Sequence, residues 1–113
     1  MSDRELLEAA AKLAGISGVW SDYHQGICHS IPGSLDMHIW RPLTDDGDAL
    51  RLAVKLKLRI IHYEDHGDAS VRVDHNGDRF HSWIARHGND PYAATRRAIV
   101  RAAAALNEPK EQK

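Results

Sequence analysis

Apolar residues recur at helical spacing in three stretches of the chain, and between those stretches they alternate with polar ones. Leu6, Ala10 and Leu13 share one face of a first helix, with Leu7 and Ala14 beside them. Ser2 and Glu5 have the spacing of a capping box, which starts that helix at Asp3. Gly15 supplies the left-handed residue that ends it, and Ile16 can fold back onto the last turn. Val19 to Tyr23 reads as a short strand led by Trp20. Residues 24–33 are the least regular, with Gly26, Pro32 and Gly33 as breakers. The alternation Ile27-Cys28-His29-Ser30-Ile31 leaves both a hairpin and a loop open there. Leu35 to Trp40 is a second strand, with Leu35, Met37 and Ile39 on one side, and Pro42 stops its ladder for want of an N–H.

The central helix follows directly. Thr44, Asp45 and Asp46 offer oxygens to the free N–H groups of its first turn, where negative charge is favoured. Ala49, Leu52, Ala53 and Leu56 form its apolar stripe, widened by Leu50 and Val54, and Asp48, Arg51 and Lys55 form its solvated side. Three strand-like runs come next: Arg59 to Tyr63, Ala69 to His75, and a partner beyond Asn76-Gly77, a dipeptide suited to a type I′ turn. A two-residue turn sets His75 opposite Asp78, Asp74 opposite Arg79, Val73 opposite Phe80 and Arg72 opposite His81. Val71, Val73, Phe80 and Ile84 then share one face, and Arg72, Asp74, Arg79, His81 and Trp83 the other. Asn89-Asp90-Pro91 starts a last helix that runs to about Leu106, with Tyr92, Ile99 and Leu106 along one stripe and small alanines beside them. Arg96, Arg97 and Arg101 stand on its other side.

The expected order is α-β-β-α-β-β-β-α: an α+β fold with an antiparallel or mixed sheet of about four to five strands packed by three helices. A chain of 113 residues makes one domain, assigned to 1–107, with 108–113 as a flexible tail. A formal net charge of -1 gives no support to a strongly basic nucleic-acid binder. The single cysteine, Cys28, excludes an internal disulfide and fits a reducing cytoplasm. No apolar run reaches membrane-spanning length, and the opening residues lack the basic-then-apolar order of a signal peptide.

Candidate chemistry is thin. The 8 histidines are the unusual feature, and His24, Cys28 and His29 are their best local group. Their spacing matches no zinc pattern, so neither a metal nor any other cofactor is expected. Cys28 and His29 are adjacent on a strand and point to opposite faces, which argues against a nucleophile–base pair. Residues 74–78 have a faint look of a calcium loop but lack its sixth-position glycine and closing glutamate. The acidic residues 45, 46 and 48 are explained by helix capping. No glycine-rich phosphate loop or G-x-S-x-G is present, and no catalytic residue is assigned. The feature that suits binding is the polar hairpin face, Arg72, Arg79, His81 and Trp83, joined by Arg97 and Arg101 of the last helix. The competing structural reading is a helix over that face, with Trp83 in a second core.

Three segments, D-R-E-L-L-E-A-A-A-K-L-A-G, W-R-P-L-T-D-D-G-D-A-L-R-L-A-V-K-L and D-P-Y-A-A-T-R-R-A-I-V-R-A-A-A, resemble the phage α-β-α sandwich domain family of small phage and prophage proteins. Residues 21–34 and 60–87 carry no match. The resemblance implies an α/β sandwich and a mobile-element origin, and it transfers no catalytic residue. The expected function is accordingly that of a non-enzymatic accessory protein that binds a host or phage protein in the bacterial cytoplasm, with self-association compatible. The alternative is a nucleic-acid or nucleotide binder using the hairpin face and the C-terminal arginines.

Overall fold

The computed structural model describes residues 2–30, 33–65, 68–75 and 78–106, with side chains described outside 65, 68 and 78–82. The described residues form α1 (Asp3–Ala14), β1 (Val19–Ser21), β2 (Gly26–Ser30), β3 (Met37–Trp40), α2 (Asp46–Lys55), β4 (Leu58–Asp65), β5 (Asp68–His75), β6 (Asp78–Arg86) and α3 (Pro91–Leu106). The fold is α+β, but the expected single sheet is two antiparallel three-stranded sheets, β1-β2-β3 and β4-β5-β6. The extra strand is β2. Residues left open between hairpin and loop form the middle of the first sheet, with Ile27 opposite both Trp20 and Trp40. The Asn76-Gly77 turn and the tail 108–113 lie outside the described residues.

The helix ends follow the local chemistry. Ser2 and Glu5 close the capping box, and Gly15 adopts φ 74° at the C-terminal end of α1. Asp45 caps α2, accepting from the Asp48 N–H at 2.7 Å. Asp90 accepts from the N–H groups of Tyr92 and Ala93 ahead of α3. Lys57 links α2 to β4 with φ 56°, a left-handed conformation without the glycine that usually takes it.

The last helix is the centre of the molecule. It packs against α1, α2, β5 and β6, and Ala98, Ile99, Val100, Ala102, Ala103 and Ala104 are all buried. Four alanines in that set let neighbours approach closely from several sides, so burial extends well beyond one stripe. Leu6, Leu7, Ala10 and Ala11 of α1, Leu52 and Ala53 of α2, and Val71 and Val73 of β5 complete the core with Ile27 and Trp40.

One expected face is reversed and two are changed in part, although Ala49, Leu52 and Ala53 of α2 are buried as expected. In β3 the expected apolar side, Leu35, Met37 and Ile39, is not the buried one: Leu35 precedes the strand fully exposed and Met37 is exposed. The inward side carries His38 and Trp40, because the larger apolar surface of Trp40 has more to gain from burial. In α2, Leu50 and Val54 are 61% and 67% exposed, whereas Asp48, placed on the solvated side, is 1% exposed. In β5–β6, His75 faces Asp78 as expected, but an irregularity between Val73 and His75 shifts the register. Trp83 then sits opposite Val73, and Ile84 opposite Arg72.

Candidate functional site

The register shift dismantles the expected polar hairpin face. Directly opposed residues share a face, so Trp83 goes with Val73 toward α3, while Arg72 goes with Ile84 on the uncovered side. Trp83 is contacted by Arg101, whose guanidinium carbon lies 5.3 Å from the ring centroid. Arg72 is held by Asp74, with Nη2 at 3.1 Å, and Arg59 reaches the same carboxylate from β4 at 2.9 Å. That hydrogen bond and the charge of Asp74 raise the Arg59 pKa above its ordinary value. Arg97 pairs with Asp3 across the helix interface at 3.1 Å. The side chains of Arg79 and His81 lie outside the described residues. Of the six expected binding residues, Trp83, Arg97 and Arg101 gather on the helix-covered side and Arg72 stands apart from them.

The histidines separate as well. Cys28 and His29 occupy opposite faces of β2 by strand alternation, and His24 sits in the turn before it, bonded to Ser21 Oγ at 3.1 Å. His62 meets His87, with ring nitrogens 3.1 Å apart. Among the described residues, no group of three His, Cys, Asp or Glu side chains could hold a metal ion.

Two larger concavities lie elsewhere, and neither was among the expected sites. The first is a groove of about 360 Å³ between α2, β4 and the start of α3. Its floor and walls are apolar, formed by Ala49, Leu50, Ile60, Tyr92 and Ile99, with Asp46, His62 and Arg96 around them. Arg96 is fixed in place: its Nε donates to the Leu43 carbonyl at 2.9 Å and its Nη1 to Asp46 at 2.6 Å. Leu50 and Tyr92, 61% and 70% exposed, stand at its lip, and Val54 continues the apolar ridge one turn along α2. The signal for this site was present in the sequence, since an apolar stripe that includes both Leu50 and Leu52 is too wide for one buried face.

The second is a polar cleft of about 510 Å³ between the end of α1, the inner face of β2–β3, and α2. Its centre is Asp48, which accepts from His38 Nε2 at 2.9 Å, from the Arg41 N–H at 3.0 Å and from Arg51 Nη2 at 2.8 Å. Burial pushes the Asp48 pKa up, but the Arg41 N–H together with Arg51 and His38 outweighs it and leaves the carboxyl below its ordinary value. A carboxylate only accepts, so His38 Nε2 carries the proton in this bond. His29 meets His38 edge-on at 5.4 Å. Asp48, Arg51, Leu52 and Lys55 have the spacing of one helical stripe, which is how a side expected to be solvated becomes a cleft wall.

The fold and these sites define a small α+β domain with an apolar groove and a polar cleft, both using α2. No family model, curated protein or solved structure matches the chain. No helix among the described residues is long and apolar enough to cross a membrane.

Proposed function

We propose that this protein is a non-enzymatic accessory protein, of the kind small phage and prophage genes encode, that acts by binding a host or phage protein. The observation that carries the reading is the groove between α2 and α3. An apolar concavity with exposed Leu50 and Tyr92 at its lip, bordered by fixed polar groups, has the layout of a pocket for a partner's aromatic or aliphatic anchor. Leu50 and Tyr92 are exposed without cover from the described residues, and exposed apolar surface beside a concavity marks an interaction site. The contact surface is then α2 and the start of α3, away from Arg72 and Trp83.

A photocrosslinking residue installed at Tyr92, compared with one at Gln25 in the turn between β1 and β2, tests the reading in nuclease-treated bacterial lysate. A discrete protein crosslinked from position 92 alone, and lost when Leu50→Asp is added to the still-folded chain, is the expected result. Equal crosslinking from both positions, or none from 92, refutes it.

The alternative of nucleic-acid binding draws on the outer face of the second sheet, which Arg59, Arg72 and Arg86 share with the exposed Tyr63. Oligonucleotide binding that weakens steeply with salt and is lost in Tyr63→Ala would favour it over the groove.

A further inference from the structure

We propose that the polar cleft binds a small organic phosphate monoester, with Arg51 and Lys55 holding the phosphate and His38 facing a hydroxyl of the ligand body. Its volume of about 510 Å³ falls in the range of small-molecule sites. Among the described residues, Asp48 is the one carboxylate lining it, and its oxygens are already occupied by His38, Arg51 and the Arg41 N–H. The internal bonds therefore absorb the charge of Asp48, and among the described residues Lys55 lines the cleft with no ion-pair partner. Arg51 uses Nη2 on Asp48, with Asp45 3.9 Å from the same nitrogen, and its side chain remains 68% exposed, which leaves its other donors for an anion. Lys55 lies one turn further along α2, on the wall that faces Gly15.

One further observation points to a ligand. His38 gives its Nε2 proton to Asp48, so in the neutral ring Nδ1 is an acceptor suited to a hydroxyl. The hydroxyl of Ser17 adds a further donor. Several donors arriving from different elements fit the three oxygens of a phosphate better than the two of a carboxylate. Trp40, Leu52 and Ile16 supply the apolar wall for the ligand body.

The test is a backbone amide NMR titration of the full chain with ribose 5-phosphate, adenosine monophosphate, inorganic phosphate and acetate. Saturable shifts at residues 15–17, 29–30 and 51–55 with at least one organic phosphate are expected, about tenfold tighter than with acetate. Arg51→Gln and Lys55→Gln should each weaken binding by about tenfold. Lys55 is not among the groups bonded to Asp48, so its variant stays informative if Arg51→Gln unfolds. Absence of saturable shifts up to about 10 mM, or equal binding by acetate, overturns the site. Binding by both variants that matches the parent does the same, and equal affinity for inorganic phosphate removes the organic body from the assignment.

Discussion

Replacing Asp48 with alanine strikes the junction between the first sheet and the central helix. The carboxylate is 1% exposed and ties α2 to His38 of β3 and to the Arg41 N–H just after it, with Arg51 of its own helix as a third donor. Breaking a fully buried ion pair by removing one partner costs about 3–5 kcal/mol. Here His38 and Arg51 have side chains 38% and 68% exposed, so water re-solvates them and most of that cost is recovered. The Arg41 N–H loses its acceptor in a half-buried position, worth about 1–3 kcal/mol, and the lost carboxylate volume adds to it. The expected destabilisation is about 2–4 kcal/mol in urea unfolding with an unchanged m-value. Asp48→Asn keeps an acceptor for Arg41 and should lose about half as much. The pH dependence has a definite sign. The folded pKa of Asp48 is lowered, so its contribution is present above the unfolded value near 3.9 and disappears as pH falls through the folded value. The parent should therefore lose stability below about pH 4 more steeply than Asp48→Asn. An alanine variant within about 0.5 kcal/mol of the parent, or parallel acid profiles for parent and asparagine variant, would refute the reasoning.

Other expectations can be read in the same unfolding assay. Gly26→Ala sets a Cβ 2.8 Å from the Trp40 carbonyl oxygen and 2.9 Å from Ile39 Cγ2, and should cost about 1–3 kcal/mol. Lys57→Gly relieves the left-handed backbone at φ 56° and should stabilise by about 0.5–1 kcal/mol, with no change if that residue bears no strain. Ser2→Ala removes the capping box of α1 and should cost about 1 kcal/mol, whereas Leu7→Ala, at 1% exposure, should cost about 2–5 kcal/mol.

Local signals were legible where the chemistry is local. The Ser2–Glu5 box, the Gly15 terminus, Asp45 and the Asp90-Pro91 start all depend on residues within a turn of one another, and each falls where expected. What failed depends on distant partners. The inward face of β3 was decided by Trp40 meeting Ile27 across the sheet, which alternation within residues 35–40 cannot reveal. The hairpin start at His75–Asp78 was correct, but the irregularity after it carried Trp83 to the other face and separated it from Arg72. The arginines of α3 looked solvated in a helical projection, yet Arg96, Arg97 and Arg101 are engaged by α2, α1 and β6. Asp48 was hidden by a sound local explanation: an aspartate in a first helical turn is usually a surface charge near the dipole.

The central position of α3 also sets when this protein can fold. Asp3 meets Arg97 across 94 positions of sequence, and the apolar face of α1 is completed by residues that a ribosome adds long after it. The sheets can pair locally as they emerge, but the side of β5 that carries Val71 and Val73 has no helix to rest on until residues 98–104 have left the exit tunnel. Until then the nascent chain presents α1 and β5 with their apolar surfaces open, the kind of exposure that favours aggregation. Closure of the core is a late event, triggered by the arrival of one alanine-rich helix.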